Sequence, residues 1–439
     1  MHKGKKKIKY SRLLLLIIFN LLLILGIVKI VNILKNKEIR EEEVKEEIPL
    51  ISKYTAIVTD SEEQNKDIVK KYFVNGMDTN DYKNAIEKID NYIDVSGEYD
   101  ELNYDFEKHY HYYELEEIYN NLAKSSIVNL EIIGKSVDGR NIYSIEIGNG
   151  DTVTMFEAGI HASEIASPLF ITKFMIDLVN GYEANDKEVK EFLNKYKIVV
   201  LPVANPDGYE ITIFGGNAAN NKDLFLAKAT SEQLDYLKCN ANGVDINRNF
   251  PSQTSGLYYK KYELDESVSL TKTYETESYY PGETLGSEPE TRAIMYWQNK
   301  WLPYLKSYVA LHSAGQSIYN GKPYLSDEYN YNSNVCAEIV GEITDYFVLD
   351  KIDEQAGEGN DGTSSEYMAE TLSGFIFSSK TGRLSTDYYK KYYSELKYKN
   401  TCVIVIEALE EYTNNLKIIK KEYYNHKLEE AYKAIIERE

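Results

Sequence analysis

Apolar and polar positions along the chain follow two spacings. Residues 113–122 (YELEEIYNNL) repeat apolar side chains at three- and four-residue intervals, which predicts an amphipathic helix. NLEIIGKSV (129–137) and RNIYSIEIG (140–148) predict two strands joined by a tight Asp138-Gly139 turn, and TVTMFEAGI (152–160) predicts a third. Ser167-Pro168 signals a helix start, with Ser167 as N-cap and Pro168 at the first position, running to about Asn180 before Gly181. KIVVLPVAN (197–205) is continuously apolar, as expected of a strand buried on both faces. SEPE (287–290) has capping-box spacing from Ser287 to Glu290, with proline early in the helix. SYVALHS (307–313) and TCVIVIEAL (401–409) read as further buried strands, and residues 416–439 as a terminal helix. Strands alternating with helices predict an α/β class: one domain with a mixed, mostly parallel central sheet flanked by helices. In such sheets chemistry lies at the carboxyl ends of the strands, so the polar residues ending these runs matter most.

The first hundred residues read differently. Residues 1–12 hold six cations and no anion, and Leu13 to Leu34 is apolar apart from Asn20, Lys29 and Asn32. Twenty-two helical residues span a hydrocarbon core of about 30 Å, and Lys29 lies where it can snorkel. The expectation is a basic cytoplasmic tail (1–12) and a transmembrane signal-anchor (13–34). A charged stalk or small helical segment follows (35–100), then a catalytic domain (101–415) outside the cytoplasm and a C-terminal helix (416–439) packed on or extending it. A cleaved signal peptide is the competing reading; the apolar run is long for one and no A-x-A site follows.

Composition narrows the function. With 50 Lys+Arg against 70 Asp+Glu, the 439-residue chain carries a net charge of −20, which argues against nucleic acid as a partner. An apolar fraction of 43% excludes disorder throughout, and three cysteines exclude a disulfide-stapled scaffold. The expected oligomeric state is a monomer.

Two of the six histidines, His161 and His312, end predicted buried strands. His161 opens H-A-S-E, with Glu164 three residues on. Two imidazoles and a carboxylate make a His₂Glu set, and catalytic zinc takes three protein ligands and leaves one position open. An isolated H-x-x-E arises often by chance. Here GVDINRNFP (243–251), NPDGYE (205–210), SEPETR (287–292) and VIVIE ending at Glu407 occur with it. Together these motifs, running from GKSVDGR (134–140) to Glu407, make the sequence resemble the zinc carboxypeptidases, the carboxypeptidase A-like metallopeptidases.

The resemblance implies roles. His161, Glu164 and His312 match the ligands of one zinc ion. Asp245 matches a carboxylate behind the first histidine that orients it. Asn247 and Arg248 match the pair that grips the substrate's terminal carboxylate, a task suited to a planar guanidinium fork. Glu407 matches the general base. Where many relatives place an oxyanion-stabilising arginine, nine residues before Asn247, this chain has Lys238, which keeps the charge and loses the fork. A mobile tyrosine is expected in the tyrosine-rich stretch 374–407, where Phe377, Tyr388, Tyr389, Tyr392 and Tyr393 compete; Tyr388 is the position chosen. Arg383 reads as solvated rather than pocket-lining. His109 and His111 read as structural, and Glu410 and Glu411 as solvated.

The implied activity is a membrane-anchored zinc metallocarboxypeptidase that hydrolyses the C-terminal peptide bond. A second reading keeps the chemistry and takes cell-wall stem peptides, cut at the bond between D-glutamate and diaminopimelate. A third, a catalytically inactive binding module, is disfavoured because all three zinc positions and Glu407 are present. Acyl-amino-acid deacylation is disfavoured because NRN and SEPE fit the peptidases better.

Overall fold

The computed structural model describes residues 92–222, 224–225, 236–250, 279–282, 286–320, 327–349, 362–372 and 401–438. All belong to one unit, Ile51–Glu439. The expected tail, membrane span and most of the stalk lie outside the described residues, as does the stretch holding Tyr388 and Arg383. Among the described residues no helix is long and apolar enough to cross a membrane.

Helix α1 (Tyr112–Leu122) leads into an antiparallel hairpin of β1 (Val128–Lys135) and β2 (Asn141–Ile147). The hairpin turn closes with Gly139 N–H donating to the Ser136 carbonyl at 3.0 Å, and Gly139 supplies the φ of +86° that the turn demands. Strand β3 (Val153–Ala158), helices α2 (Ala166–Glu183) and α3 (Lys187–Lys195), strand β4 (Lys197–Leu201) and helix α4 (Pro206–Phe214) follow. Next come α5 (Pro289–Trp301), β5 (Leu305–Ser313), β6 (Ser317–Asn320), α6 (Asp327–Thr344), β7 (Phe347–Leu349), α7 (Ser364–Leu372), β8 (Cys402–Ala408), α8 (Leu416–Asn425) and α9 (Leu428–Glu437).

The sheet order is β1-β2-β4-β3-β5-β8-β6-β7. Its four middle strands, β4, β3, β5 and β8, run parallel, while β1, β2 and β6 enter antiparallel. The expected α/β architecture is therefore present. Alternation along the strands feeds two cores. Phe156, Ile198, Val309 and Ile404 pack with α1, α2, α6, α8 and α9, whereas Met155, Val199, Tyr308 and Val403 pack with α5 and α7. The segment 92–111 straddles the boundary expected at residue 101 and packs on the first core through Tyr104 and Phe106.

Several local expectations are corrected. Helix α2 begins at Ala166 with Ile165 as N-cap. The Ser167 hydroxyl instead donates to the Glu164 carbonyl at 3.1 Å and accepts from Gly159 N–H at 3.2 Å, serving the loop that carries the first histidine. Gly181 lies inside α2: a Cβ there would meet Val189 Cγ2 at 2.9 Å, so its smallness admits α3 and does not end the helix. Strand β4 stops at Leu201, and Asn205 caps α4 by accepting from Gly208 N–H at 2.9 Å. The N-cap of α5 is Glu288, with Pro289 first, so SEPE forms no capping box. The terminal helix is two helices, broken at Lys427 in a left-handed conformation. Strands β6 and β7, four and three residues long, are too short to show a periodicity.

Trp297 is fully buried between α5 and the sheet, and its indole N–H donates to Ser144 Oγ at 3.0 Å. Trp297→Ala is expected to lower the unfolding free energy by about 3–5 kcal/mol. A urea titration checks this, and an unchanged midpoint would contradict the assigned packing.

Candidate active site

The site forms where the parallel strands end. His161 lies three residues beyond β3, Glu164 at the entry to α2, and His312 at the end of β5. His161 Nδ1 stands 2.6 Å from Glu164 Oε1 and His312 Nδ1 2.8 Å from Glu164 Oε2. The three donor atoms lie within 4.8 Å of one another, and all three residues are buried. Among the described residues this is the one cluster able to hold a metal ion. Two imidazole nitrogens and a carboxylate, turned towards a common point, fit zinc by donor chemistry and number. Glu164 would be raised by burial, but His161, His312 and Lys238 outweigh that and hold it well below its ordinary value.

Asp245 Oδ1 stands 3.5 Å from His161 Nε2, on the far side of the ring from Glu164. It is fully buried. Burial pushes it up, yet His161, Arg248 and Lys238 prevail and bring it to about 2. Its two oxygens accept from Asn247 N–H at 3.1 Å and Tyr279 N–H at 3.0 Å, so it also shapes the loop carrying Asn247 and Arg248.

Glu407 on β8 is the register partner of His312 on β5. Burial raises it to about 7, with Glu164 adding and His312, Lys238 and Arg248 opposing. Lys238 Nζ lies 3.5 Å from Glu164 Oε1. Burial would lower Lys238, but Glu164, Tyr412, Asp245 and Glu407 hold it above its ordinary value, so it stays a cation. His161, His312, Lys238 and Glu407 line a cavity of about 250 Å³ together with Asn247, Arg248, Tyr279, Tyr412, Thr363 and Val405. Tyr388 falls outside the described residues, as do its competitors Phe377, Tyr389, Tyr392 and Tyr393 and the arginine Arg383.

Other elements position this set. Asn240, two residues beyond Lys238, donates from Nδ2 to Glu288 at 2.8 Å and to Glu290 at 3.0 Å. It accepts at Oδ1 from Asn242 N–H and Val244 N–H. The SEPE motif thus clamps the loop leading to Asp245. The turn of the β1–β2 hairpin docks on Asp207 of α4 through Ser136 Oγ at 2.7 Å, Asp138 N–H at 2.8 Å and Arg140 Nη1 at 2.6 Å. Asn247 Oδ1 accepts from Ser364 N–H at 3.0 Å, and Ser364 Oγ donates to buried Glu157 at 2.9 Å.

Sequence reasoning missed Tyr279, Tyr412, Thr363, Ser364 and Glu157. Tyr279 lies with its ring 4.8 Å from the Arg248 guanidinium and 5.8 Å from Lys238 Nζ, and Tyr412 also lies 5.8 Å from Lys238. Only GTSS (362–365), a helix-start signature, offered a local signal. His111 caps α1 and stacks on Phe214 at 3.5 Å, a structural part as expected, and Glu410 and Glu411 are exposed. The three cysteines are free and buried; burial pushes the Cys239 thiol up, which disfavours a nucleophilic role.

The sequence model of the zinc carboxypeptidase family, Peptidase M14, matches residues 115–397. The chain belongs to this family. Human carboxypeptidase A6 is 27% identical over 215 residues, covering 47% of this chain and 44% of that protein. Gamma-D-glutamyl-L-diamino acid endopeptidase 1 of Lysinibacillus sphaericus is 28% identical over 199 residues, 43% of this chain and 46% of that protein. The chain thus spans less than half the length of these curated relatives. Bovine thrombin-activatable fibrinolysis inhibitor, solved with tick carboxypeptidase inhibitor, superposes with a TM-score of 0.51 at 19% identity. The match covers 75% of this chain and 97% of that one, a likeness of fold.

Glu290 supplies a test of the clamp in this zinc carboxypeptidase scaffold. Burial first, and Asp207 second, raise it to about 8. An acid raised in the folded state lends stability that is complete below its ordinary pKa and is lost as pH rises through the folded value. Stability should therefore fall between about pH 5 and pH 8 with a slope of up to about 1.4 kcal/mol per pH unit. Glu290→Gln should lose that slope whatever its absolute stability. Urea midpoints across the window decide, and equal slopes in both proteins would reject the assignment.

Proposed function

We propose that the protein is a zinc-dependent carboxypeptidase, acting outside the cytoplasm and tethered by the apolar segment 13–34. The observation that carries this is a buried His₂Glu triad whose two histidines line one cavity with a carboxylate on the neighbouring strand and an Asn-Arg pair. An inert binding module would have no need of all three.

His161, Glu164 and His312 would hold the zinc, which when bound supplies Lewis acidity to the scissile carbonyl and lowers the pKa of water at the site. Asp245 fixes the His161 ring from behind and keeps its Nδ1 directed at the triad. Glu407 takes a proton from the attacking water and delivers it to the leaving amine, a task suited to a carboxylate near neutrality. Lys238 places a fixed positive charge for the oxyanion that develops on the carbonyl. Arg248, with its guanidinium set against Tyr279, and Asn247, held by Ser364, grip the terminal carboxylate and so favour an exopeptidase. Tyr388 is retained as the residue that closes over the substrate.

The second substrate reading, cell-wall stem peptides, draws support from the Lysinibacillus sphaericus relative, whose name describes cleavage of a gamma-D-glutamyl bond to a diamino acid. An outward-facing anchored enzyme would meet such a substrate. Parallel assays on ordinary peptides and on stem peptides, with and without chelator, separate the two. Cleavage of neither class, with zinc bound, would reject the proposed reaction.

Glu407→Gln should reduce kcat by on the order of a thousandfold while the protein still binds one zinc per chain. Turnover close to wild type would remove Glu407 as the base. Lys238→Ala and Arg248→Ala should part company. The former lowers kcat about a hundredfold. The latter raises KM for peptides with a free C-terminal carboxylate and leaves amidated peptides unaffected. Steady-state kinetics on the paired substrates check this, and an identical response of both variants would refute the division of roles.

A further inference from the structure

The geometry points to Glu422, on the C-terminal helix α8, as a positioning residue for the zinc site, an inference that rests on the function proposed above. Glu422 touches none of the triad. It is buried, and its carboxylate gathers donors from elements that are far apart in sequence. Oε1 accepts from Leu409 N–H at 2.9 Å and from the Tyr346 hydroxyl. Both oxygens accept from Gln316 Nε2 at 3.1 Å, and Oε2 lies 3.7 Å from His426 Nε2.

Leu409 lies two residues beyond Glu407. Gln316 lies four beyond His312, and the two segments are tied directly. The Leu409 carbonyl accepts from Gly315 N–H at 2.7 Å and from Gln316 N–H at 3.0 Å. Leu409 and Gln316 both adopt left-handed conformations, with φ of +65° and +43°. Residues carrying a side chain hold that conformation only where their surroundings enforce it. Here one carboxylate provides the enforcement, taking up the Leu409 N–H and the Gln316 side chain at once. The turns that end β5 and β8 are thereby fixed relative to each other, and with them the separation of His312 from Glu407. Gln316 Nε2 also lies 3.2 Å from His426 Nε2, and His426 Nδ1 lies 2.7 Å from the Thr344 carbonyl oxygen, so α8 is anchored on its far side too.

The test compares full-length wild type with Glu422→Ala, Glu422→Gln and a control, Ile435→Ala. The control empties a fully buried position of the first core on α9 and costs stability without removing any of the hydrogen bonds around Glu422. Zinc affinity is read by chelator competition, kcat and KM on the cleaved peptide, and stability by thermal melting. Glu422→Ala should weaken zinc about 10- to 100-fold, the range seen when a ligand's outer support is removed, and lower kcat with KM nearly unchanged. Glu422→Gln, which keeps an oxygen for Leu409, should fall between Ala and wild type, and Ile435→Ala should retain wild-type zinc affinity. If Glu422→Ala fails to fold, Glu422→Gln and Gln316→Ala carry the test, and both must weaken zinc. Wild-type zinc affinity in the folded Glu422 variants, or an equal loss in Ile435→Ala, overturns the inference. A wild type that binds zinc but cleaves no peptide rejects the proposed reaction instead, and zinc affinity still decides the role of Glu422.

Discussion

A buried carboxylate held between two imidazoles is the constraint around which the rest is arranged. Glu164 is almost fully removed from water, where an uncompensated charge would cost far more than a domain's net stability. Its two oxygens face His161 and His312, and Lys238 stands beside it. Those partners come from three separate segments, so the charge is tolerable only when β3, β5 and the loop before Asp245 are all in place. Compensation of this one group and assembly of the site are a single event.

The same logic extends outward through polar contacts and away from the apolar cores. Asp245 holds the rear of His161 and shapes the Asn247–Arg248 turn. The SEPE carboxylates hold Asn240, and Asp207 holds the hairpin turn. Glu157 reaches Asn247 through Ser364. Each buried acid is satisfied by donors from a different element, which converts the demand for hydrogen bonding into fixed angles between loops. The two apolar cores set where the helices lie; these acids set where the chemical groups point.

How much of this was legible in the sequence follows from the range of each contact. The strands were readable to within a residue or two at most ends, because alternation and continuous apolar runs are local properties of Ile142–Ile147 or Val199–Leu201. The triad and Glu407 were readable because they end such runs and sit in recognisable strings. Ser167 misled because a serine before a proline normally caps, whereas here its hydroxyl is claimed by Gly159 across the loop. Gly181 misled because its smallness serves packing against Val189. Tyr279, Tyr412, Glu157 and Glu422 carried no local signal, since each acts through a partner that folding alone brings near.

The pairing of β5 with β8 has a consequence for the timing of activity. His312 and Glu407 stand opposite each other in a parallel register, and a slip of one residue would turn Glu407 to the other face of the sheet. Strand β8 follows every other strand in the chain, so it is also the last to leave the ribosome. A nascent or misregistered chain could assemble the His161, Glu164 and His312 triad and still lack the carboxylate beside it. The hydrolytic activity proposed above therefore depends on β8 pairing with β5 in this one register, whatever else has already folded.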